Sequence, residues 1–256
     1  MKRKTSTLKF VLSDMEIRRI GDDVRLNFMK KAIDGSNVYT YWNDFIAKKE
    51  LPIYEWIVNN IFVKHAITDY DNRHNTVDKI HYACNVLEIY QFYSIEFIDH
   101  IAKTINQLGA RRIIEIGAGD GFLSYFLKRS GIDILPTDDY SRPCTNRLES
   151  VERLGHKDSL KKYDPDLVVI NWEELDGTHS LDVLKYPSVE HLLWIGEDEY
   201  GCTGSRDLWQ FDFEDTKNPY CISRTDECLF GDRVNKHTRV IIFRPEKNHT
   251  TKDIKF

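Results

Sequence analysis

Between Arg111 and Leu123 the chain reads R-R-I-I-E-I-G-A-G-D-G-F-L, and no other stretch restricts the fold as tightly. The apolar run Ile113, Ile114 and Ile116 closes on three alternating glycines. Phe122, Leu123, Tyr125, Phe126 and Leu127 then follow at helical spacing. A strand, a tight turn and a helix start are therefore compressed into one short segment, an arrangement that brings backbone close to a ligand. Gly117 and Gly121 permit backbone angles that a Cβ penalises, and Gly119 removes a side chain where the ligand must pass. Dinucleotide-binding turns space their glycines as G-x-G-x-x-G. Here they fall as G-x-G-x-G, with Glu115 two residues before the first.

The strand–helix rhythm continues downstream. The pattern predicts strands over 111–116, 132–137, 151–154, 167–171 and 191–195, of which Leu167-Val168-Val169-Ile170 reads as buried on both faces. Helices are expected over 122–130, ended by Gly131, and over 142–150, capped by Ser141. A late β-branched strand over 239–243 is expected to pair with a neighbour near 220–224. Such alternation implies a parallel sheet with helices on both faces. The first hundred residues read as mostly helical. Pro52 opens an apolar pattern over 51–63, a polar loop spans 69–76, and a long amphipathic stretch covers 77–108 before Gly109. That stretch is one helix, or two with a break near Tyr93-Ser94. The expected organisation is a mainly helical extension or cap over 1–109, its tyrosines and phenylalanines serving as core, and a sheet domain over 110–256.

Glu115 and the G-x-G-x-G turn resemble motif I of the class I S-adenosylmethionine-dependent methyltransferases, and the likeness extends over 111–245. The resemblance implies a Rossmann-like, doubly wound α/β fold with a mostly parallel seven-stranded sheet whose last strand is antiparallel. It also implies S-adenosylmethionine as cofactor and transfer of its methyl group to an acceptor. Glu115, Gly117, Ala118, Gly119, Gly121 and Phe122 are then the loop residues at the cofactor. Ligands of open α/β sheets lie beyond the carboxyl ends of the strands, so each strand end is a candidate site. After the second strand, Asp138, with Asp139 as second choice, is placed to accept from the ribose hydroxyls. After the third, the resemblance gives Asp158 and Leu160 to the adenine, although Asp-Ser before Leu is also an ordinary helix cap.

The fourth strand delivers Asn171-Trp172-Glu173-Glu174. Asn171 is expected at the cofactor. Trp172 would wall the pocket or attract the sulfonium, and Glu173 or Glu174 would orient or deprotonate the acceptor. The alternative keeps Trp172 in the core and the glutamates at a solvated helix start. The fifth strand ends in W-I-G-E before G-C-T-G, which is similar to a subset of the same class, and Glu197 is the expected acid on the acceptor side. Cys202 has no histidine at hand to activate it as a nucleophile. The N-W-E-E loop lacks the N/D-P-P-Y/F pattern of amino-group methyltransferases, which speaks against adenine, cytosine or glutamine as acceptor.

Two other functions share parts of this pattern. A nicotinamide-dependent oxidoreductase would show the same strand–turn–helix, but its third glycine would come one residue later. A non-catalytic scaffold would keep the cofactor pocket alone. Composition narrows the acceptor. A net charge of −5 without a concentrated basic face favours a small molecule or a protein side chain over nucleic acid. No run approaches the ~20 apolar residues of a membrane span. The basic start Met1-Lys2-Arg3-Lys4 leads into polar residues instead of a secretory core, so no signal peptide and no membrane partner are expected. Five scattered cysteines without a C-x-x-C pair fit reduced thiols in the cytoplasm. Dispersed histidines give no metal-ligand spacing, so no metal is expected.

Overall fold

The computed structural model describes residues 37–63, 80–81, 83–144, 146–228 and 234–245. The expected polar loop over 69–76 and the basic first residues lie outside them. Seven strands form the main sheet: β1 (Ile113–Ile116), β2 (Ile134–Asp138), β3 (Glu152–Arg153), β4 (Leu167–Asn171), β5 (His191–Glu197), β6 (Asp212–Asp215) and β7 (Thr238–Arg244). Their spatial order is β3-β2-β1-β4-β5-β7-β6. β1 pairs in parallel with both β2 and β4, and β4 with β5, while β7 runs antiparallel to both β5 and β6. The sheet is the mostly parallel, Rossmann-like one expected, with β7 as its antiparallel last strand in sequence.

Alternation along the strands assigns the two cores. Leu167 and Val169 of β4 join a core with α1 (Ile95–Leu108) and α2 (Phe122–Arg129). Val168 and Ile170 face the other way, toward α3 (His156–Tyr163) and α4 (His179–Leu184), where Trp194 and Phe243 are also buried. All four central residues of β4 are 3% exposed or less, which is why that stretch carries no polar position.

The break near Tyr93-Ser94 is real. Ser94 is the N-cap of α1, its side chain accepting from Phe97 N–H at 3.1 Å, and Gly109 ends the helix in a left-handed conformation at φ +69°. Upstream, Asn37–Thr40 runs into a π-helical turn, Tyr41–Ile46, and Tyr54–Ile57 into another, Val58–Val63. The second of these helices starts after Ile53, two residues later than Pro52 suggests. Ile57, Ile61, Phe92 and Tyr41 are buried in the same core as α1 and α2, so the described residues before α1 pack directly on the sheet's helical layer.

Two expectations fail. Over 142–150 no helix forms among the described residues, because the segment bonds to the glycine turn instead. Leu148 N–H donates to Asp120 O (2.9 Å) and Arg147 Nε to Gly119 O (2.9 Å). The partners of β7 are β5 and β6, not the segment 220–224. That segment turns back to the helical extension, with Ser223 bridging Gln91 and Phe92 N–H donating to Ile222 O (3.0 Å).

Candidate functional site

Strand order reverses between β1 and β4, and a cleft of about 500 Å³ opens at their carboxyl ends, where a switch in topology leaves room for a ligand. One wall is the turn Gly117–Asp120. The three glycines of the motif adopt φ of +67°, +57° and +82°, conformations that residues with a Cβ rarely hold. The turn is pinned to the end of β2: Ala118 N–H donates to Thr137 O (3.0 Å), and Gly119 N–H donates to Asp138 Oδ2 (3.0 Å). Asp138 Oδ1 accepts from Tyr140 N–H (2.8 Å) and from Arg147 Nη2 (3.2 Å). Each carboxylate oxygen has two lone pairs, so Oδ2 keeps one acceptor position. Arg147 in turn lies 3.8 Å above the ring of Tyr140, whose hydroxyl donates to Val151 O. Asp120 also faces the cleft. Burial pushes its carboxyl up to about 6, opposed by the Phe122 N–H it accepts and by the charge of Arg147, and reinforced by Glu88.

The opposite wall is aromatic. Trp172 follows β4 with φ +59°, unusual for so bulky a residue and a conformation tied to strained sites. Its indole N–H points to Gln91 Oε1 at 3.4 Å, and its ring centroid lies 5.8 Å from that of Tyr90. Asn171 donates through Nδ2 to the Tyr93 hydroxyl (3.0 Å), while its buried Oδ1 has no partner among the described residues. Arg224 spans both rings, its guanidinium 4.3 Å from the Tyr90 centroid and 5.4 Å from that of Trp172. Tyr41, Trp42 and Ile46 bring the helical extension over the same cleft.

The residues expected at the site divide sharply. Gly117, Ala118, Gly119, Asp138, Asp139, Asn171, Trp172 and Glu173 all line the cleft. Glu115, Gly121, Phe122, Asp158 and Glu197 are not in its wall. Glu115 is 1% exposed beneath the turn and accepts from Ser124 Oγ of α2, and burial lifts its carboxyl to about 8 against that hydrogen bond. Gly121 is the N-cap of α2, where a Cβ would lie 2.4 Å from Val151 Cγ2. Phe122 is core, packed edge-on against Trp42.

Asp158 is an exposed residue in the first turn of α3, whose N-cap is Gly155 without a side-chain bond, and Leu160 belongs to the core beneath. Leu154 and His156 face the cleft in their place. Glu197 is folded into its own loop, where Cys202 N–H donates to Oε2 and Thr203 Oγ1 accepts from Glu197 N–H (2.8 Å). Burial raises its carboxyl, yet hydrogen bonds from Cys202 and Thr225 outweigh this and hold it below the usual range. Its role is to shape the 197–203 turn. Glu173 is 6% exposed and accepts from Ser180 N–H (3.1 Å) with Oε1, leaving Oε2 without a described partner. Glu174 is exposed and paired with Arg142 at 2.6 Å. Cys202 lines the cleft, its thiol pushed up to about 11 by burial and by Glu197.

Sequence reasoning missed Asp120, Arg147, Tyr90 and Arg224. Asp120 stood inside the motif and could have been found from its position alone. Arg147 and Arg224 lie in irregular loops whose course follows from tertiary pairing, and neither carries a local signal. Among the described residues no group of His, Cys, Asp and Glu could hold a metal ion, and no helix is long and apolar enough to cross a membrane.

No protein-family model matches the chain, and no curated protein matches it. Among solved structures, the chain is similar to the methyltransferase domain of a bacterial CtHen1-CN, with 12% identity and a TM-score of 0.37 over 58% of this chain and 97% of that one. It is also similar to an O-methyltransferase family protein from Burkholderia thailandensis, at 11% identity and TM-score 0.35, covering 72% and 63%. A third match is human N-acetylserotonin methyltransferase in complex with SAM, at 12% identity and TM-score 0.35, covering 84% and 69%.

Proposed function

We propose that the protein is an S-adenosylmethionine-dependent methyltransferase whose cofactor lies along the turn Gly117–Asp120. The observation that carries this reading is the turn itself. Gly117 and Gly119 stand at positive φ at the β1/β4 switch, a Cβ on either would project into open space, and Gly119 N–H is tied to Asp138. The groups present suit the cofactor. Asp138 Oδ2 offers an acceptor to ribose hydroxyls, Ile116, Ala118 and Leu154 supply apolar wall, and Asp120 and Asp139 supply negative charge toward a ligand that bears a sulfonium and an ammonium. The cleft volume falls in the ordinary range for small-molecule sites.

S-adenosylmethionine supplies an already activated methyl group, which an acceptor takes by in-line displacement. The protein's work is alignment and exclusion of water. Tyr41, Trp42 and Ile46 cover the cleft from the helical extension, and the Trp172 ring forms the wall beyond β4. Asn171 Oδ1 is a buried acceptor left open on the acceptor side, suited to orient a hydroxyl or amine proton. Glu173, next in the chain, has a second open oxygen, Oε2, and is the group best placed for proton transfer if the acceptor arrives protonated.

Calorimetric titration with S-adenosylmethionine, S-adenosylhomocysteine and NAD in parallel tests the reading. The expected outcome is micromolar binding of the first two, about −8 kcal/mol, with no heat from NAD. Gly119→Arg, which projects a long cation into the cleft, should abolish that binding in a chain that still folds. A folded wild type silent to both S-adenosyl compounds overturns the assignment.

A further inference from the structure

Three arginines line the cleft, and two of them are neutralised: Arg142 pairs with Glu174 at 2.6 Å and Arg147 with Asp138 at 3.2 Å. Arg224 makes no ion pair among the described residues. Its Nη1 donates to Asn85 Oδ1, its backbone N–H donates to Tyr90 O (3.2 Å), and its buried Nε has no acceptor. A guanidinium has five N–H donors, so most of this one's capacity is unused. The nearby Cys202 thiol, with its proton held to about pH 11, supplies no compensating negative charge.

The position of the guanidinium is fixed from several sides. The guanidinium lies against the rings of Tyr90 and Trp172, whose faces attract a cation and hold it in place. The loop beneath is fastened by Asp226, which is 4% exposed and accepts from the N–H groups of Ser223 and His237, both at 2.6 Å. Ser223 also bridges Gln91 and accepts at Oγ from Thr238 Oγ1 (2.6 Å). A buried donor without an acceptor is costly in a folded protein, and a guanidinium fixed in the cleft wall without a carboxylate partner suits an oxyanion. Asp120, Asp138 and Asp139 stand on the glycine-turn side, and Glu88, Glu173 and Glu174 also line the cleft, the last paired with Arg142.

We propose that Arg224 is the specificity-determining residue for the acceptor, and that the acceptor is a small molecule bearing a carboxylate or phosphate group bound at the guanidinium. This rests on the methyltransferase reading for the word acceptor, but the anion site stands on its own geometry.

The test uses the full chain, with S-adenosylhomocysteine titrated in parallel. Acetate, benzoate and phenyl phosphate are the anionic probes, and benzamide is the neutral control, read by Trp fluorescence and calorimetry. At least one anion should bind the wild type while benzamide does not, and preference for benzoate or phenyl phosphate identifies which oxyanion is meant. Arg224→Gln should weaken that anion roughly tenfold or more, and Arg224→Lys less, with S-adenosylhomocysteine affinity unchanged in both. Arg224→Lys carries the comparison if the glutamine variant does not fold.

No Arg224-dependent response to any of the three anions overturns the proposal. So does an equal response to benzamide, or a loss of S-adenosylhomocysteine binding in the Arg224 variants, which would give Arg224 to the cofactor's own carboxylate. Arg224-dependent anion binding in a wild type that ignores S-adenosylhomocysteine supports the anion site and rejects the methyltransferase reading.

Discussion

The two walls of the cleft are built in opposite ways. The glycine-turn wall uses consecutive residues, 117–120, whose N–H groups at Ala118 and Gly119 donate to Thr137 O and Asp138 Oδ2 at the end of the neighbouring parallel strand. The aromatic wall joins Tyr90, Trp172 and Arg224, which are far apart in the chain and meet only because the 220–224 segment turns back onto 90–92. A wall made of local sequence has its geometry set by backbone angles, so it tolerates distant change but not a change in its own glycines. A wall made of distant segments depends on whatever fastens those segments together. Its weak point lies away from the ligand.

The largest effect separates two glycines of one motif. Gly121→Ala places a Cβ 2.4 Å from Val151 Cγ2 at φ +82°, so strain and overpacking together should cost about 2–4 kcal/mol of stability. Gly119→Ala meets nothing within 4 Å and should cost only the left-handed strain, about 1–2 kcal/mol, while weakening cofactor binding. Urea denaturation with parallel S-adenosylhomocysteine titration checks both. Equal destabilisation would mean that the motif is uniform chain geometry, and the distinction between a ligand-facing and a packing glycine would be lost.

This contrast also marks what was legible beforehand. The strand–turn–helix, the β4 core strand and the break at Ser94 could all be read, because each is fixed by residues within a few positions of one another. The segment 142–150 was misread as helix because its polar spacing suits one, while the free carbonyl of Gly119 and the backbone of Asp120 bind it elsewhere. Glu197 stands outside the cleft wall, because an acid at a strand end can be drawn into its own loop once the path of the next five residues is fixed. Here Cys202 returns to cap it. Arg224 could not be assigned at all, since its meaning depends on Tyr90, 134 positions earlier.

An intermediate effect is expected at the fastening of the aromatic wall. Asp226→Ala removes the acceptor of the Ser223 and His237 N–H groups and takes from the buried Ser223 donor its carboxylate, a loss of about 2–3 kcal/mol. The loop carrying Arg224 should exchange its amide hydrogens faster, and acceptor-side anion binding should fall with it. S-adenosylhomocysteine affinity should hold, because no residue of the glycine-turn wall is touched. Hydrogen exchange followed by mass spectrometry reads the first effect and calorimetry the second. Loss of cofactor affinity in step with the loop would show that the walls are coupled.

The smallest effect sets an acid in the cleft against one beneath it. Burial raises Glu115 to about 8 and Asp120 to about 6, so the folded chain binds more protons than the unfolded one between the ordinary carboxylate range and those values. Stability from both groups is therefore fully present at acid pH and declines as pH rises, through about 6 for Asp120 and about 8 for Glu115. Glu115→Gln should flatten the upper part of that decline in a thermal-melt series and leave ligand affinity alone, since Glu115 contacts Ser124 and not the cleft. Asp120→Asn should act on the ligand instead. In the wild type, ionisation of Asp120 through about pH 6 should strengthen binding of the cationic S-adenosylmethionine by roughly three- to tenfold, and the asparagine variant should lack that rise. If Glu115→Gln moves the affinity profile as much as Asp120→Asn does, the buried acid reaches the ligand through the turn. The glycine wall would then be set by its support as much as the aromatic wall is.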